Sequence, residues 1–457
     1  MRMLFGTDGI RGVAGDPPLD AATVFAVGAA LGQQLKAQHA KLQVVIGQDT
    51  RESSWWIAES LTRGLDSAGV TAQSAGVITT PAVAFLARGG FAAGVVISAS
   101  HNPWMDNGIK IFGHDGYKLS DELEEKLEGD IFALLHGQSA PPLAAAQVSE
   151  KSGPVEGDPR LLRDYVAWLA SKIEGTSLRG LRALVDCANG AASPVAHEVF
   201  RACGLHAEFS CDSPTGRNIN ENCGAMHPKY VAEHVAGRGG EFDLGITFDG
   251  DADRALFSDR QGRVVNGDAV LLLAARDMKQ RGRLRGDTVV ATTMSNMGLE
   301  VALARSGIRM LRAPVGDKYV LEEMKKTGAT LGGEQSGHII FRDIDATTGD
   351  GLLTSLRVME VMARSGQPLH ELVADLKVYP QTIKNVRVKE KKPFADFPAV
   401  AGVIDAAEKE LQGSGRVVVR YSGTEALARV MVEAESEDTM RRITDQIASA
   451  IERTLGI

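Results

Sequence analysis

The segment FDGDADR puts three carboxylates, Asp249, Asp251 and Asp253, at alternate positions directly after the apolar run LGITF. Carboxylates this close repel one another, and a bound hard cation is the simplest compensation. An EF-hand is excluded, because Arg254 stands where that motif needs glycine and Arg260 where it needs glutamate. The pattern fits a compact Mg²⁺ site whose coordination is completed from outside, most naturally by a phosphate oxygen; the alternative is a solvated acidic turn. Arg254, adjacent to the site, could hold a phosphate that bridges to the metal. Ser100, His101 and Asn102 follow a second buried-strand pattern in GVVISASHNP. A serine at a strand end needs activation to attack or to carry a group. Residue types leave Ser100 open between that role and a turn or capping role, since it is not in a GxSxG elbow and its neighbour His101 is not thereby its partner. Asn107-Gly108 reads as a turn, and Lys110 is close enough in sequence to serve the same site.

RYSGTEALAR sets Arg420 and Arg429 on either side of Ser422, Gly423 and Thr424. Small residues in a tight turn expose backbone N–H groups, hydroxyls add donors, and two guanidiniums bind phosphate bidentately. The segment reads as an anion cradle, or else as a salt-bridged hairpin. GGEQSGH offers the Glu334 carboxylate, the Gln335 amide, the Ser336 hydroxyl and the His338 imidazole. Such a set suits the hydroxyls of a sugar ring, although an ordinary polar loop has the same composition. His338 is the residue here whose ordinary pKa suits proton transfer near neutral pH. Neither GxxxxGK[ST] nor a GxGxxG after a strand occurs, so nucleotide-dependent kinase and dehydrogenase readings lose their support.

These loops need a frame. Up to about residue 365 short apolar runs alternate with amphipathic stretches, the pattern of βαβ units with parallel sheets. The loops suggest a repeat of three units with two strand-end signatures each. The first signature is IGQDTRES, VDCANGAAS or ATTMSNMG, and the second is ISASHNP, TFDGDADR or LGGEQSGH. The segment from His136 to Pro154 reads as a linker, and KEKKPFADFP as a charged, turn-rich stretch. Beyond about residue 370, RVVVRYS and ARVMVEAE alternate as half-buried strands do, and Ser436 with Glu437 and Asp438 opens an amphipathic helix.

The 457 residues suffice for about three or four domains. With 44% hydrophobic and 24% charged residues, wholesale disorder is disfavoured. Lys plus Arg number 50 against 58 Asp plus Glu, and no basic run occurs, which argues against a nucleic-acid partner. No apolar stretch reaches the roughly 18 residues of a membrane span, and Asp8 and Arg11 interrupt the N-terminus before a signal-peptide apolar region forms. A cytosolic protein without a membrane partner is expected. Cys187, Cys203, Cys211 and Cys223 show no CxxC spacing or nearby His pattern, so reduced structural thiols are expected rather than a zinc site.

In order and spacing these loops resemble those of the α-D-phosphohexomutase superfamily over essentially the whole chain. FGTDGIRG, SASHNPWMDNGIK, NINENCGAMHP, FDGDADR, VGDKYVLEEM and GGEQSGH are most similar to its bacterial branch acting on glucosamine phosphates, with Gln335 as the main discriminator. The resemblance implies an α/β protein of three similar mixed α/β domains plus a smaller C-terminal α+β phosphate-binding domain around a central cleft. The expected boundaries are 1–150, 151–257, 258–370 and 371–457. It implies interconversion of glucosamine 6-phosphate and glucosamine 1-phosphate, a cytoplasmic step toward UDP-N-acetylglucosamine and cell-wall precursors, with glucosamine 1,6-bisphosphate as intermediate or activator. Members are often homodimers. By similarity Ser100 is the phosphoserine and joins Asp249, Asp251 and Asp253 in holding Mg²⁺. Glu334 and Ser336 would hold sugar hydroxyls, and Arg420, Ser422, Gly423, Thr424 and Arg429 the phosphate that is not reacting. Lys110, His101, Arg11 and His338 are candidates for proton transfer or charge stabilisation. Departures from the family pattern are Tyr421, Ala426 where proline is common, and Lys318 where arginine is usual. The competing readings are a mutase of the same mechanism acting on glucose or mannose phosphates, a non-catalytic sugar-phosphate sensor, and a Ser-dependent phosphatase.

Overall fold

The computed structural model describes residues 4–6, 8–38, 41–136, 153, 156–173, 175–422 and 426–457. The expected linker lies outside the described residues except for His136 and Gly153, and so do Gly423 and Thr424. The chain forms two compact units: Met1–Met294 with Met310–Val373, and Ser295–Arg309 with Ala374–Ile457.

The first unit holds three sheets. The first contains β1 (Phe5–Gly6), β2 (Gly9–Val13), β3 (Gln43–Gln48), β4 (Thr71–Val77), β5 (Ala93–Ile97) and β6 (Asp106–Gly113), in the order β1-β2-β6-β5-β3-β4. Its helices are α1 (Ala21–Gln38), α2 (Ser54–Ser67), α3 (Thr80–Ala87) and α4 (Asp121–His136). Helices α5 (Pro159–Ala170), α6 (Ala192–Ala202) and α7 (Lys229–Gly237) accompany the second sheet. That sheet contains β7 (Arg182–Asp186), β8 (His206–Ser210), β9 (Leu244–Phe248), β10 (Ala255–Asp259) and β11 (Val264–Val265), in the order β11-β10-β9-β7-β8. The third has β12 (Thr288–Thr292), β13 (Arg309–Ala313), β14 (Leu331–Gly333) and β15 (Ile339–Phe341), in the order β13-β12-β14-β15. With it go α8 (Gly267–Gln280), α10 (Asp317–Thr327) and α11 (Gly351–Ser365); α9 (Met297–Arg305) belongs to the second unit.

One four-strand order recurs in all three sheets, as β4-β3-β5-β6, β8-β7-β9-β10 and β13-β12-β14-β15. In each, the third strand runs parallel to the second and antiparallel to the fourth. Strands β5, β9 and β12 are buried along their whole length, as strands covered on both faces must be. The first strand-end signatures follow β3, β7 and β12, and the second follow β5, β9 and β14. Equivalent loops therefore leave equivalent carboxyl ends, where open α/β sheets bind ligands. Val44, Ile46, Val95, Ile97 and Ile109 pack with Leu61 and Leu65 in the first core; fully burying each such side chain contributes about 1.5–3 kcal/mol.

Two expectations are corrected. Residue 257 falls inside β10, whose ladder with β9 continues to Asp259, so the second sheet extends past the expected boundary. Asn107-Gly108 is not a turn but part of β6. There the Asn107 amide donates to Ser53 and Ser54 Oγ at 2.9 and 3.0 Å, which removes the side chain from turn formation.

In the second unit β16 (Gln381–Arg387), β17 (Gly415–Tyr421) and β18 (Leu427–Ala434) form an antiparallel sheet in the order β16-β18-β17. Helices α12 (Pro398–Glu410) and α13 (Glu437–Leu455) accompany it. Ser436 Oγ caps α13 by accepting the Thr439 N–H, and Val430, Val432, Ile443, Ile447 and Ile451 share its core.

Candidate active site

Ser100 stands at the end of β5 with φ 52°, a left-handed conformation that strains a non-glycine residue. Its surroundings hold it there. The Ser100 N–H donates to Ser98 Oγ at 3.0 Å, and Ser98 Oγ donates to Asp49 Oδ2 at 2.6 Å. The Ser100 carbonyl accepts Arg51 Nη2 at 3.1 Å and Asn220 Nδ2 at 2.9 Å. Arg51 is fully buried, ion-paired to Asp49, and also donates to the Asn102 carbonyl at 2.7 Å. Ser100 Oγ donates to Asp249 Oδ2 at 2.5 Å and lies 3.4 Å from His101 Nδ1.

The acidic loop leaves β9 directly against this serine. A Cβ at Gly250 would overlap the Ser100 carbonyl oxygen, so the close approach requires glycine. All three aspartates are buried, with ligand oxygens within 4.8 Å of one another. Asp251 Oδ2 accepts Thr80 Oγ1 at 2.6 Å and Lys110 Nζ at 2.8 Å. Lys110, itself buried in β6, also lies 3.0 Å from Asp8 and 3.8 Å from Asp253. Asp251 Oδ1 and Asp253 Oδ1 are buried without a hydrogen-bond partner among the described residues. Orphaned carboxylate oxygens beside an all-oxygen set suit a hard cation such as Mg²⁺.

Burial, reinforced by Asp253 and Asp251, pushes the Asp249 carboxyl well above its usual range. Burial also raises Asp253, but Lys110, His338 and Arg254 more than offset it and hold that carboxyl ionised. Lys110 loses by burial and gains more from Asp251, Asp8 and Asp253, so its ammonium stays charged. His101 is pushed below the ordinary imidazole value by burial and by the cations Arg254 and Arg11.

An open cavity of about 410 Å³ adjoins this cluster, lined among others by Asp8, Lys118, Asp253, Arg254, Glu334 and His338. Glu334 is anchored by the Gly316 N–H at 3.0 Å and contacted by Ser336 Oγ at 3.5 Å. His338 Nε2 accepts the Gly349 N–H at 2.9 Å, leaving Nδ1 to carry the proton 3.5 Å from Asp253 Oδ2. Gln335 turns away from these groups and donates to Asp268 Oδ2 at 3.1 Å. Arg11 donates to the Ala99 carbonyl at 2.7 Å and pairs with Asp8, while Lys318 pairs with Asp121 at the cavity rim.

In the second unit Arg420 and Arg429 sit opposite each other in the β17–β18 ladder. Ser422 is buried, its N–H donates to the Leu427 carbonyl at 2.8 Å, and its carbonyl accepts Lys391 Nζ at 2.7 Å. Tyr421 stacks on Phe394 with centroids 4.3 Å apart. Residue types did not single out Asp8, Arg51, Thr80, Lys118, Asn220 or Asp317. Most stand in the quoted motifs, but their roles come from contacts between distant segments, such as Lys118 Nζ bridging Asp8 at 2.5 Å and Asp317 at 2.6 Å.

This repeated architecture has counterparts. Residues 2–136 match "Phosphoglucomutase/phosphomannomutase, alpha/beta/alpha domain I", residues 266–379 match domain III, and residues 383–450 match the C-terminal domain. A solved phosphoglucomutase/phosphomannomutase family protein from Burkholderia thailandensis superposes with TM-score 0.77 at 25% identity, over 98% of this chain and 97% of that one. The N-acetylphosphoglucosamine mutase of Aspergillus fumigatus shares the fold at TM-score 0.68 and 20% identity, over 99% of this chain and 96% of that one. Fold and site together define an α-D-phosphohexomutase. A phosphoglucosamine mutase from Koribacter versatilis is 64% identical over 100% of this chain and 98% of its own length. The chain belongs to the phosphoglucosamine mutase family, whose members are isomerases of this superfamily.

Proposed function

We propose that the protein interconverts glucosamine 6-phosphate and glucosamine 1-phosphate through phospho-Ser100 and glucosamine 1,6-bisphosphate, in the cytoplasm, toward UDP-N-acetylglucosamine. The observation that carries this reading is the Ser100 Oγ to Asp249 Oδ2 contact at 2.5 Å beside orphaned oxygens of Asp251 and Asp253. A sensor needs no such serine on a cation-ready carboxylate cluster. The family membership and the Aspergillus fumigatus structure, obtained with GlcNAc-6P and magnesium, add support.

In the forward step a sugar hydroxyl oxygen bonds to phosphorus as the bond from phosphorus to Ser100 Oγ breaks, giving the bisphosphate. The bisphosphate reorients and returns its other phosphoryl group to Ser100. Asp249, Asp251 and Asp253, with the Ser100 phosphoryl oxygens, would hold Mg²⁺, which when bound neutralises charge on the transferring group. Lys110 pairs with Asp251 and helps keep Asp253 ionised, and His338 orients Asp253. His101, Arg11 and Arg254 surround the serine with donors and positive charge. Glu334 and Ser336 would receive the sugar hydroxyls, and Arg420, Ser422, Gly423, Thr424 and Arg429 the distal phosphate. The four-domain division accompanies this reading, with the break after the second domain moved beyond β11.

The Gln335 bond to Asp268 keeps glucose and mannose phosphates in the comparison, since that amide is engaged away from the cavity. The test is kcat/KM for glucosamine, glucose and mannose 6-phosphates with Mg²⁺ and a trace of sugar bisphosphate. A preference of about tenfold or more for the amino sugar, ~1.4 kcal/mol, supports the reading, and the reverse preference moves the protein to the hexose-phosphate mutases.

A further inference from the structure

Cys211 and Cys223, both free, bracket a loop between β8 and α7. Cys211 follows β8 in a left-handed conformation, φ 47°, and is half-buried, whereas Cys223 is buried. Their sulfurs and an Asp186 carboxylate oxygen all lie within 4.8 Å of one another. Three ligands of this kind resemble a metal set; the Asp186 oxygens each accept one backbone N–H, from Ala188 at 2.8 Å and from Gly224 at 2.7 Å, which fixes that carboxylate beside the sulfurs. The two sulfurs themselves form a close dithiol.

The loop between the two thiols reaches the catalytic serine. Asn220, three residues before Cys223, donates Nδ2 to the carbonyls of Ser100 and Asn102 at 2.9 and 3.2 Å. Arg217 lies over the Trp104 ring, 5.0 Å from its centroid. The loop that closes at the thiols therefore grips the Ser100 segment at its middle.

We propose that Cys211 and Cys223 form a redox-modifiable pair, closed by hydrogen peroxide into a disulfide that pulls Asn220 off the Ser100 carbonyl and lowers turnover. The Cys211 sulfur attacks one peroxide oxygen, the O–O bond breaks, and the leaving hydroxide takes a proton as water, giving a sulfenic acid. The Cys223 sulfur then attacks the Cys211 sulfur, the S–O bond breaks and a second water leaves. Two thiols lose two electrons and one peroxide becomes two waters. Cys211 is the attacking partner because it is the more exposed. The Cys223 S–H and the Tyr230 O–H both donate to it, stabilising its thiolate against burial and against Asp186. An S–S bond of roughly 2.05 Å requires the sulfurs to close from non-bonded contact, drawing the loop ends together.

The thiol chemistry stands apart from the mutase reading; only the activity measurement rests on it. The purified full chain is treated with hydrogen peroxide, remaining thiols are alkylated, and linked peptides are mapped by mass, with hydrogen exchange measured over residues 98–106. The expected result is a 211–223 linkage, faster exchange in that segment, and a fall in mutase turnover of about tenfold or more that dithiothreitol reverses. Cys223→Ser should keep basal activity and resist the fall. Absence of the linkage, a linkage with unchanged exchange, equal peroxide sensitivity in Cys223→Ser, or zinc bound to the thiols as purified would each overturn the proposal. A chain without mutase activity in which linkage and exchange still change would sink the mutase reading alone.

Discussion

Ser100 Oγ donates its hydrogen to Asp249 Oδ2 at 2.5 Å although 149 residues separate the two in sequence. The contact joins the loop after β5 to the loop after β9, equivalent positions of two repeats. Ser100→Ala keeps Gly250 against the same carbonyl and leaves the cavity lining intact, because neither contact uses Oγ. Turnover should fall by at least about 10³-fold, roughly 4 kcal/mol, while sugar-phosphate affinity by calorimetry stays near the parent value. Turnover equal to the parent's would end the phosphoserine assignment.

Arg51 reaches the Ser100 and Asn102 carbonyls with the same nitrogen while pairing with Asp49. Lysine preserves the charge but not the fork, so Arg51→Lys should let the strained serine turn relax. We expect kcat to fall about 10- to 100-fold with KM within about threefold, since Arg51 touches the serine backbone and not the cavity. A change confined to KM would instead mean that Arg51 contacts substrate.

The legible and the illegible parts of this molecule divide along the range of the contacts. Fully buried β5 and β9 announce themselves as short apolar runs, and the loops leaving them carry Ser100 and the aspartates within a few residues, so local reading reaches both. It does not reach Asn220 or Thr80, whose roles exist only because the fold lays them on Ser100 and Asp251. Asn107-Gly108 shows the opposite failure: a local turn signal was overridden once Ser53 and Ser54 captured the Asn107 amide. Gln335, informative as a family marker, is bonded to Asp268, a partner that no spacing rule suggests.

Lys110 and Thr80 satisfy one oxygen of Asp251 and leave the other orphaned, which gives metal removal a specific expectation. Chelation should abolish turnover, and added Mg²⁺ should restore it. Asp251→Asn should weaken Mg²⁺ affinity about tenfold or more, because it removes charge from the ligand set and leaves Lys110 underpaired. Calorimetric titration of both proteins checks this, and an unaltered Mg²⁺ requirement in the variant would remove Asp251 from the metal set.

Asp350 caps α11 by accepting the Leu353 N–H at 3.0 Å and accepts the Tyr165 hydroxyl at 2.7 Å, all out of contact with solvent. Burial raises its pKa to about 6, against the lowering effect of the Leu353 and Tyr165 hydrogen bonds. In the unfolded chain the carboxyl titrates near the ordinary aspartate value of about 3.9, so between about pH 4 and pH 6 the folded state binds more protons. The sign follows: this group favours folding most below about pH 4, and its contribution is lost as pH rises through about 6, by roughly 3 kcal/mol in full. Asp350→Asn keeps a good N-cap and can still pair with Tyr165 but cannot ionise. Denaturant unfolding in chelator, run from pH 4 to pH 7, should show the variant gaining on the parent as pH rises, with most of the gain between pH 4 and pH 6. A difference that stays constant over that range would mean Asp350 is ionised in the fold throughout.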